Sequence, residues 1–343
     1  MKQYLFPKEN KFYKANLHCH TVISDGALTA EEVKAAYLAK GYSAVAFTDH
    51  EALITHDELT DERFVALNGY ETAIKEFNGI STGKRPMMKV HHLCFIKRRP
   101  KDGVAFCFYP ENFTPGNCKA YIPEIKYTGV PCQYEYTPAF FAHLVDEAHA
   151  HGCLVHYNHP HWSLMDAATV ASLPFDGLEL CNTGCRYHGD YSADFYEDIL
   201  RLGAFPYAVA GDDNHNGGAD QDCDTPHYED SFGAATMISA ESLTYEALTD
   251  ALARGDAYVS TGPEILEAYV EDAELVVRTS AAAHILLHGE GRKVYRVSGK
   301  DGYVDRAAFP ISTEKLGKYF RIEVTDSKGE HAYSRAYLTA DFV

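Results

Sequence analysis

Short apolar runs recur through the first three quarters of the chain, separated by stretches with helical spacing and closed by polar clusters. Residues 15–20 read as a first strand. Thr29 then opens a helix, because Glu32 three residues on completes a capping box and Gly41 stands just past the end. The run 44–47 is apolar throughout and reads as a buried parallel strand, which makes one βαβ unit. Further strands are predicted at 64–67, 88–96, 153–155, 177–181, 207–210 and 234–238. Helices are predicted from Pro138, at a first helical position, to His149, and across 192–202 and 245–254. About seven such repeats in about 250 residues predict an α/β fold, a (β/α) barrel whose chemistry sits at the C-terminal ends of its strands.

Two regions depart from this rhythm. Residues 97 to 138 are rich in Pro, Gly and aromatics and lack helical periodicity, so they read as an insertion over the active-site face, a candidate lid. From residue 263 onward the texture changes to short alternating runs with turns at Lys300-Asp301-Gly302 and Asp326-Ser327-Lys328-Gly329. In 319–324, Phe320, Ile322 and Val324 alternate with Tyr319, Arg321 and Glu323. The expected division is therefore a barrel over 1–262 and a small β-sandwich over 263–343, the latter without a candidate ligand cluster.

The candidate chemistry falls just after the apolar runs. His18-Cys19-His20 is followed by Asp25, then by Asp49-His50, Glu71, His91-His92, His159-Pro160 and Asp213-Asn214-His215. Side chains on a strand alternate with period two, so His18 and His20 point the same way and can share a cation. Asp213 and His215 repeat that spacing. By the same alternation Cys19 faces the barrel wall. Asp49 reads as a carboxylate that orients a ligand histidine. Glu179 reads equally as such a partner or as a group satisfying buried backbone.

Taken in order, LHCHTVISDGALT, AVAFTDH, the Glu71 strand, HHLCFI, NHP and DDNH resemble the PHP (polymerase and histidinol phosphatase) family over about residues 14–216. The resemblance implies a distorted seven-stranded (β/α) barrel, two or three divalent ions and hydrolysis of phosphate esters. Carried over by motif, His18, His20, Glu71 and Asp213 would hold a first ion. Glu71 would bridge to a second held by His92 and His159, and Asp25, His50 and His215 would hold a third. Asp25 stands where some relatives have histidine. His91 competes with His92, His156 with His159, and Asp212 with Asp213; the family pattern favours His92, His159 stands before the proline, and Asp213 has the period-two relation to His215. Mixed nitrogen and oxygen ligation suits Mn, Fe or Zn.

No GxSxG elbow and no P-loop occurs, so no protein nucleophile is indicated. His161 and Asp212 are the candidate general acids, with Glu71 and Asp213 organising the ions. Arg186, Lys84 and Arg85 are the candidate phosphate-holding cations. The expected substrate is a small phosphorylated metabolite, a nucleotide or sugar phosphate. A hydrolase of a non-phosphate bond and a metal-binding scaffold are the rival readings.

Composition narrows the partners. A net charge of −18 repels polyanions, which argues against nucleic acid. The one dense basic cluster, Lys97-Arg98-Arg99 with Lys101, reads as a solvated loop. The start lacks the apolar core of a signal peptide, and no window approaches the roughly 18 apolar residues of a membrane span. Nine scattered cysteines without CxxC read as reduced thiols of a cytoplasmic protein. Oligomeric state is not legible.

Overall fold

A computed structural model of the chain describes residues 2–76, 88–113, 115–217, 227–299, 301 and 303–343. It is a mixed α/β structure built on one large sheet of 14 strands. From one end the order is Tyr207–Gly211, Gly177–Asn182, Cys153–Tyr157, Val90–Lys97, Val65–Lys75, Ala44–Phe47 and Lys11–Asn16. The sheet continues through Ala235–Ala240 and Ala257–Ser260 into His331–Ser334, Tyr319–Thr325, His284–Gly289 and Val294–Ser298, and the fourteenth strand, Tyr337–Leu338, pairs with Tyr319–Thr325 off this path. The helix at Ala30–Ala39 has the expected capping box, with Thr29 and Glu32 each closing on the other's backbone N–H.

The expected strand ends need correction. The strand expected at 15–20 is Lys11–Asn16, so the His18–His20 segment lies beyond it, with an isolated bridge from Cys19 to Asn214 in place of a ladder. Glu71 lies inside an eleven-residue strand, not at the end of a short one. His91 and His92 open the strand Val90–Lys97, which runs antiparallel to Val65–Lys75 with His92 opposite Ala73. Because that strand runs backward, its beginning lies where the parallel strands end, and His92 reaches the same face from the opposite chain direction.

The sheet is not closed. Between Tyr207–Gly211 and Ala235–Ala240 no backbone ladder forms; instead Thr236 Oγ1 accepts from Ala210 N at 2.8 Å and donates to Ala210 O at 2.9 Å. Farther along, Asp213 N donates to His18 O at 2.9 Å and His20 N to Asn214 O at 3.1 Å. The two chains approach so closely here that a Cβ on Gly211 would lie 2.4 Å from the His18 Cβ. This seam aligns the ligand-bearing segments at residues 18–20 and 213–215.

The segment following Lys97 is irregular, with 3-10 turns at Pro110–Asn112 and Cys118–Glu124 and a two-residue pairing of Val104–Ala105 with Lys126–Tyr127. It is nevertheless anchored: Phe106, Phe113 and Tyr134 are buried in the same core as Tyr70 and Phe95. Asn117 N donates to Ser24 O at 2.6 Å, and Gly116 (φ +50°) passes so near that a Cβ would be 1.9 Å from Ser24 O. Lys97, expected in a solvated loop, is buried and pairs with Asp102 at 3.2 Å, while Arg98 and Arg99 pair with Asp250.

Beyond residue 263, Ile265–Glu271, Glu274–Ala282 and Val304–Pro310 form a second sheet with Gln3–Tyr4 from the N-terminus. Its apolar face packs on Ile285, Leu287, Phe320, Ile322 and Val324 of the large sheet. That cluster runs on into Tyr37, Val45 and Tyr258, so one core serves both parts of the chain. The eight described cysteines are free, and no described helix is long and apolar enough to cross a membrane.

Candidate metal centre

Nine side chains from seven segments meet at one end of the sheet. Glu71 occupies the middle: its Oε1 lies 3.3 Å from His18 Nε2, 3.0 Å from His92 Nδ1 and 3.4 Å from His159 Nε2. Its Oε2 lies 3.0 Å from His50 Nδ1 and 3.5 Å from His20 Nε2, yet this buried oxygen has no hydrogen-bond partner. Asp213 Oδ1 lies 3.2 Å from His18 Nε2 and 3.0 Å from His20 Nε2. Asp25 closes the outer side, 3.5 Å from His50 Nε2 and 3.4 Å from His215 Nε2.

With Cys94, these residues form four groups of potential ligands: His20, Asp25, His50 and His215 stand apart, while His18, His159 and Asp213, His18, Glu71 and Cys94, and Glu71, His92 and His159 overlap. The Nε2 atoms of His18 and His20 face each other at 3.2 Å, and no Lys or Arg stands among the nine residues. Convergent lone pairs with a buried, unpartnered carboxylate oxygen are what a bound cation requires, and the nitrogen and oxygen donors fit a transition metal. His159 (φ 24°) and Asp213 (φ 53°) hold left-handed backbone conformations uncommon for such residues, a strain found at functional sites.

Electrostatics follow from this crowding. Burial pushes the Glu71 carboxyl up, but His92, His18 and His159 outweigh it and hold it well below the usual carboxylate range. Burial also raises Asp213, and His18, His20 and His215 more than reverse that. Burial, then the neighbouring His215 and His50, lowers His20 to about 4, which keeps the ring neutral and able to donate a lone pair.

The surrounding shell orients these groups. Glu179 Oε1 lies 3.2 Å from His18 Nδ1, and its Oε2 accepts from His159 N at 3.0 Å, so it serves two ligand-bearing segments. Asp49 does not contact a ligand histidine. It accepts from Thr21 N and Oγ1 at 2.8 Å each and from Ser24 Oγ at 2.6 Å, which fixes the turn that carries Asp25. Asn158 Nδ2 donates to Glu71 Oε1 at 2.8 Å and to Cys94 Sγ at 3.1 Å.

The competing residues separate by position. His92 faces Glu71, while His91 turns away to Tyr157 OH at 2.8 Å and stacks on Tyr136. His159 is at the centre, and His156 meets Tyr207 OH at 3.0 Å. Asp213 is at the centre; Asp212 is buried among donors from Tyr37, Thr183, Phe232, Gly233 and Ala234. Burial raises Asp212 to about 6, but its oxygens are committed to these donors and it does not line the cavity.

The centre opens into a cavity of about 450 Å³. His161 is not part of its wall: its Nδ1 lies 3.3 Å from Asp190 Oδ1 and its ring packs on Phe195. Arg186 is also off the wall, its guanidinium lying over its neighbour Tyr187, although Gly184 and Cys185 beside it do line the cavity. Lys84 and Arg85 lie outside the described residues. The sequence reading missed Glu51, Lys75, Trp162 and Cys94. Lys75 carries a period-two signal from Glu71, as Cys94 does from His92; Glu51 and Trp162 carry none.

Residues 16–114 match the PHP domain family. The matched stretch contains His18, His20, Asp25, His50, Glu71 and His92, and the fold brings His159, Asp213 and His215 to the same place from beyond it. No curated protein matches the chain. Among solved structures, a two-domain protein from Bacteroides vulgatus containing a predicted PHP-like metal-dependent phosphoesterase is 13% identical, with 98% of each chain covered and a TM-score of 0.45. An amidohydrolase from Chromobacterium violaceum, holding sulfate and no metal, is 19% identical over 62% of this chain and 90% of its own, with a TM-score of 0.38.

Proposed function

We propose that this chain, with its PHP domain match, is a metal-dependent phosphoesterase that hydrolyses a small phosphorylated metabolite such as a nucleotide or sugar phosphate. The observation that carries the reading is the shared Glu71 carboxylate, flanked by His18 and His92 on one oxygen and by His20 and His50 on the other. We assign His18, His20, Glu71 and Asp213 to a first ion, Glu71, His92 and His159 to a second, and Asp25, His50 and His215 to a third.

Two or three such ions, whether Mn, Fe or Zn, supply Lewis-acid charge and a nucleophile active near neutral pH. The residues of the chain hold this machinery in place. Glu71 and Asp213 stay ionised between the imidazoles, His20 stays neutral, and Glu179 keeps the rings of His18 and the backbone of His159 in register. In the reaction water adds to phosphorus, the phosphorus–oxygen bond to the alcohol breaks, and the departing oxygen takes a proton. Asp212 and His161 are not placed to give that proton, because neither lines the cavity.

We read the seven strands from Lys11–Asn16 to Tyr207–Gly211 as a PHP-type barrel left open at the Ala210–Thr236 seam. The division at residue 262 is retained as a division of roles: no candidate ligand comes from 263–343. The test is elemental analysis of protein purified without chelator, paired with phosphate release from nucleotides and sugar phosphates. Two or three equivalents of metal with phosphate release are expected. Bound metal with cleavage of amides or carboxylic esters only would replace this reading with a non-phosphate hydrolase. Bound metal with no hydrolysis at all would favour a scaffold.

A further inference from the structure

Beyond the metal ligands, the cavity wall is asymmetric. On one side stands Trp162, the only tryptophan in the chain, 40% exposed while its neighbours Ser163 and His159 are buried. Its ring lies 5.2 Å from the His92 ring and 4.9 Å from that of His159. This placement is built: Asp190, itself buried, accepts from Trp162 N at 2.8 Å and from His161 N at 3.0 Å. Elsewhere on the wall is Lys75, the sole Lys or Arg lining the cavity among the described residues. It shares a strand face with Ala73 and Glu71, two and four residues back, and forms no salt bridge among the described residues.

An exposed indole costs hydrophobic free energy unless a ligand or partner covers it, and its flat face suits another flat ring. An ammonium on the cavity wall beside a centre that would take the phosphate suits a remaining phosphate oxygen. We infer that the substrate is a phosphate monoester carrying a planar aromatic ring, which stacks on Trp162 while Lys75 meets the phosphate. The inference rests on the phosphoesterase reading above and narrows it: a nucleotide or an aryl phosphate is favoured over a sugar phosphate. Trp162 sets specificity and takes no part in bond breaking.

The test uses the metal-loaded, full-length protein. KM is measured for adenosine 5′-monophosphate, phenyl phosphate and ribose 5-phosphate in the wild type, Trp162→Ala, Trp162→Phe and Lys75→Met. Loss of stacking on one ring should raise KM about tenfold for the ring-bearing esters in Trp162→Ala, with ribose 5-phosphate little changed and Trp162→Phe largely restored. Lys75→Met should raise KM for all three alike. The two ring-bearing esters separate a nucleobase from a simple aryl group as the preferred partner. An equal loss for all three esters in Trp162→Ala, or loss of bound metal, would make Trp162 a wall of the metal centre and overturn the inference. A second readout does not need hydrolysis: adenosine should quench the single-tryptophan fluorescence and ribose should not. If no ester is hydrolysed but adenosine still quenches, the phosphoesterase reading fails and the stacking site stands. If adenosine does not quench, the stacking site fails whatever the activity.

Discussion

Two clusters of histidine and carboxylate, one largely buried at the metal centre and one half-buried in the C-terminal layer, are built on opposite principles. At the sheet end near Glu71, three carboxylates stand among imidazoles with no Lys or Arg ion pair among the described residues, and Glu71 Oε2 is left without a hydrogen bond. In the C-terminal layer, Glu323 lies 3.0 Å from His288 Nε2 and 3.2 Å from His331 Nδ1, but it also accepts from Arg321 Nη1 at 3.2 Å. Arg321 in turn donates through Nε to Glu197 on the helix Asp194–Arg201. A network that includes its own permanent cation balances its carboxylates from within; one that gathers lone pairs around empty acceptor capacity needs an ion from outside. His288 and His331, featureless in the sequence, are thus partners in a structural network.

The comparison would break most visibly at Glu71. Glu71→Ala should remove whole equivalents of metal and lower turnover by more than the roughly 10–100-fold typical of a ligand's supporting partner. His288→Ala should leave both unchanged, and equal metal content and turnover in the two variants would erase the distinction. Glu179→Ala is the intermediate case. It leaves every proposed ligand in place but frees the His18 ring and the His159 backbone, so metal affinity should fall about 10–100-fold while the fold survives. Unchanged affinity in a metal titration would show that Glu179 merely satisfies buried groups.

In the second cluster, Arg321→Met breaks a buried pair with Glu197 and leaves the half-buried Glu323 without its cation, which should cost about 3–5 kcal/mol of stability, read by denaturant unfolding, without lowering metal per chain. Metal loss from the folded variant would show that the two regions are coupled. The smallest effect is one of pH. Burial raises Glu323, but its contacts with His288, His331 and Arg321 reverse this and hold it well below the usual carboxylate range. A depressed carboxyl binds fewer protons folded than unfolded. Its stabilisation is therefore full above about pH 4.5 and is lost as pH falls toward the lowered value. Glu323→Gln should flatten that acid limb of the stability curve, and an unaltered limb would assign it to other groups.

Several features were legible before any coordinates because they depend on local geometry. The capping box at Thr29 and Glu32 follows from helical spacing alone, and the alternation of His18, Cys19 and His20 persists although the segment lies just past its strand. Periodicity sets which side of its own segment a residue faces, and it carries no information about which segment comes to lie opposite. Pairing decided the rest. The antiparallel return of Val90–Lys97 put His92 beside Glu71, the side-chain seam at Thr236 left the sheet open, and the continuation through His331–Ser334 carried it past residue 262. The same long-range contacts surrounded Asp212 with donors, drew His161 to Asp190 and turned Trp162 into the cavity, since each depends on neighbours more than twenty residues away along the chain.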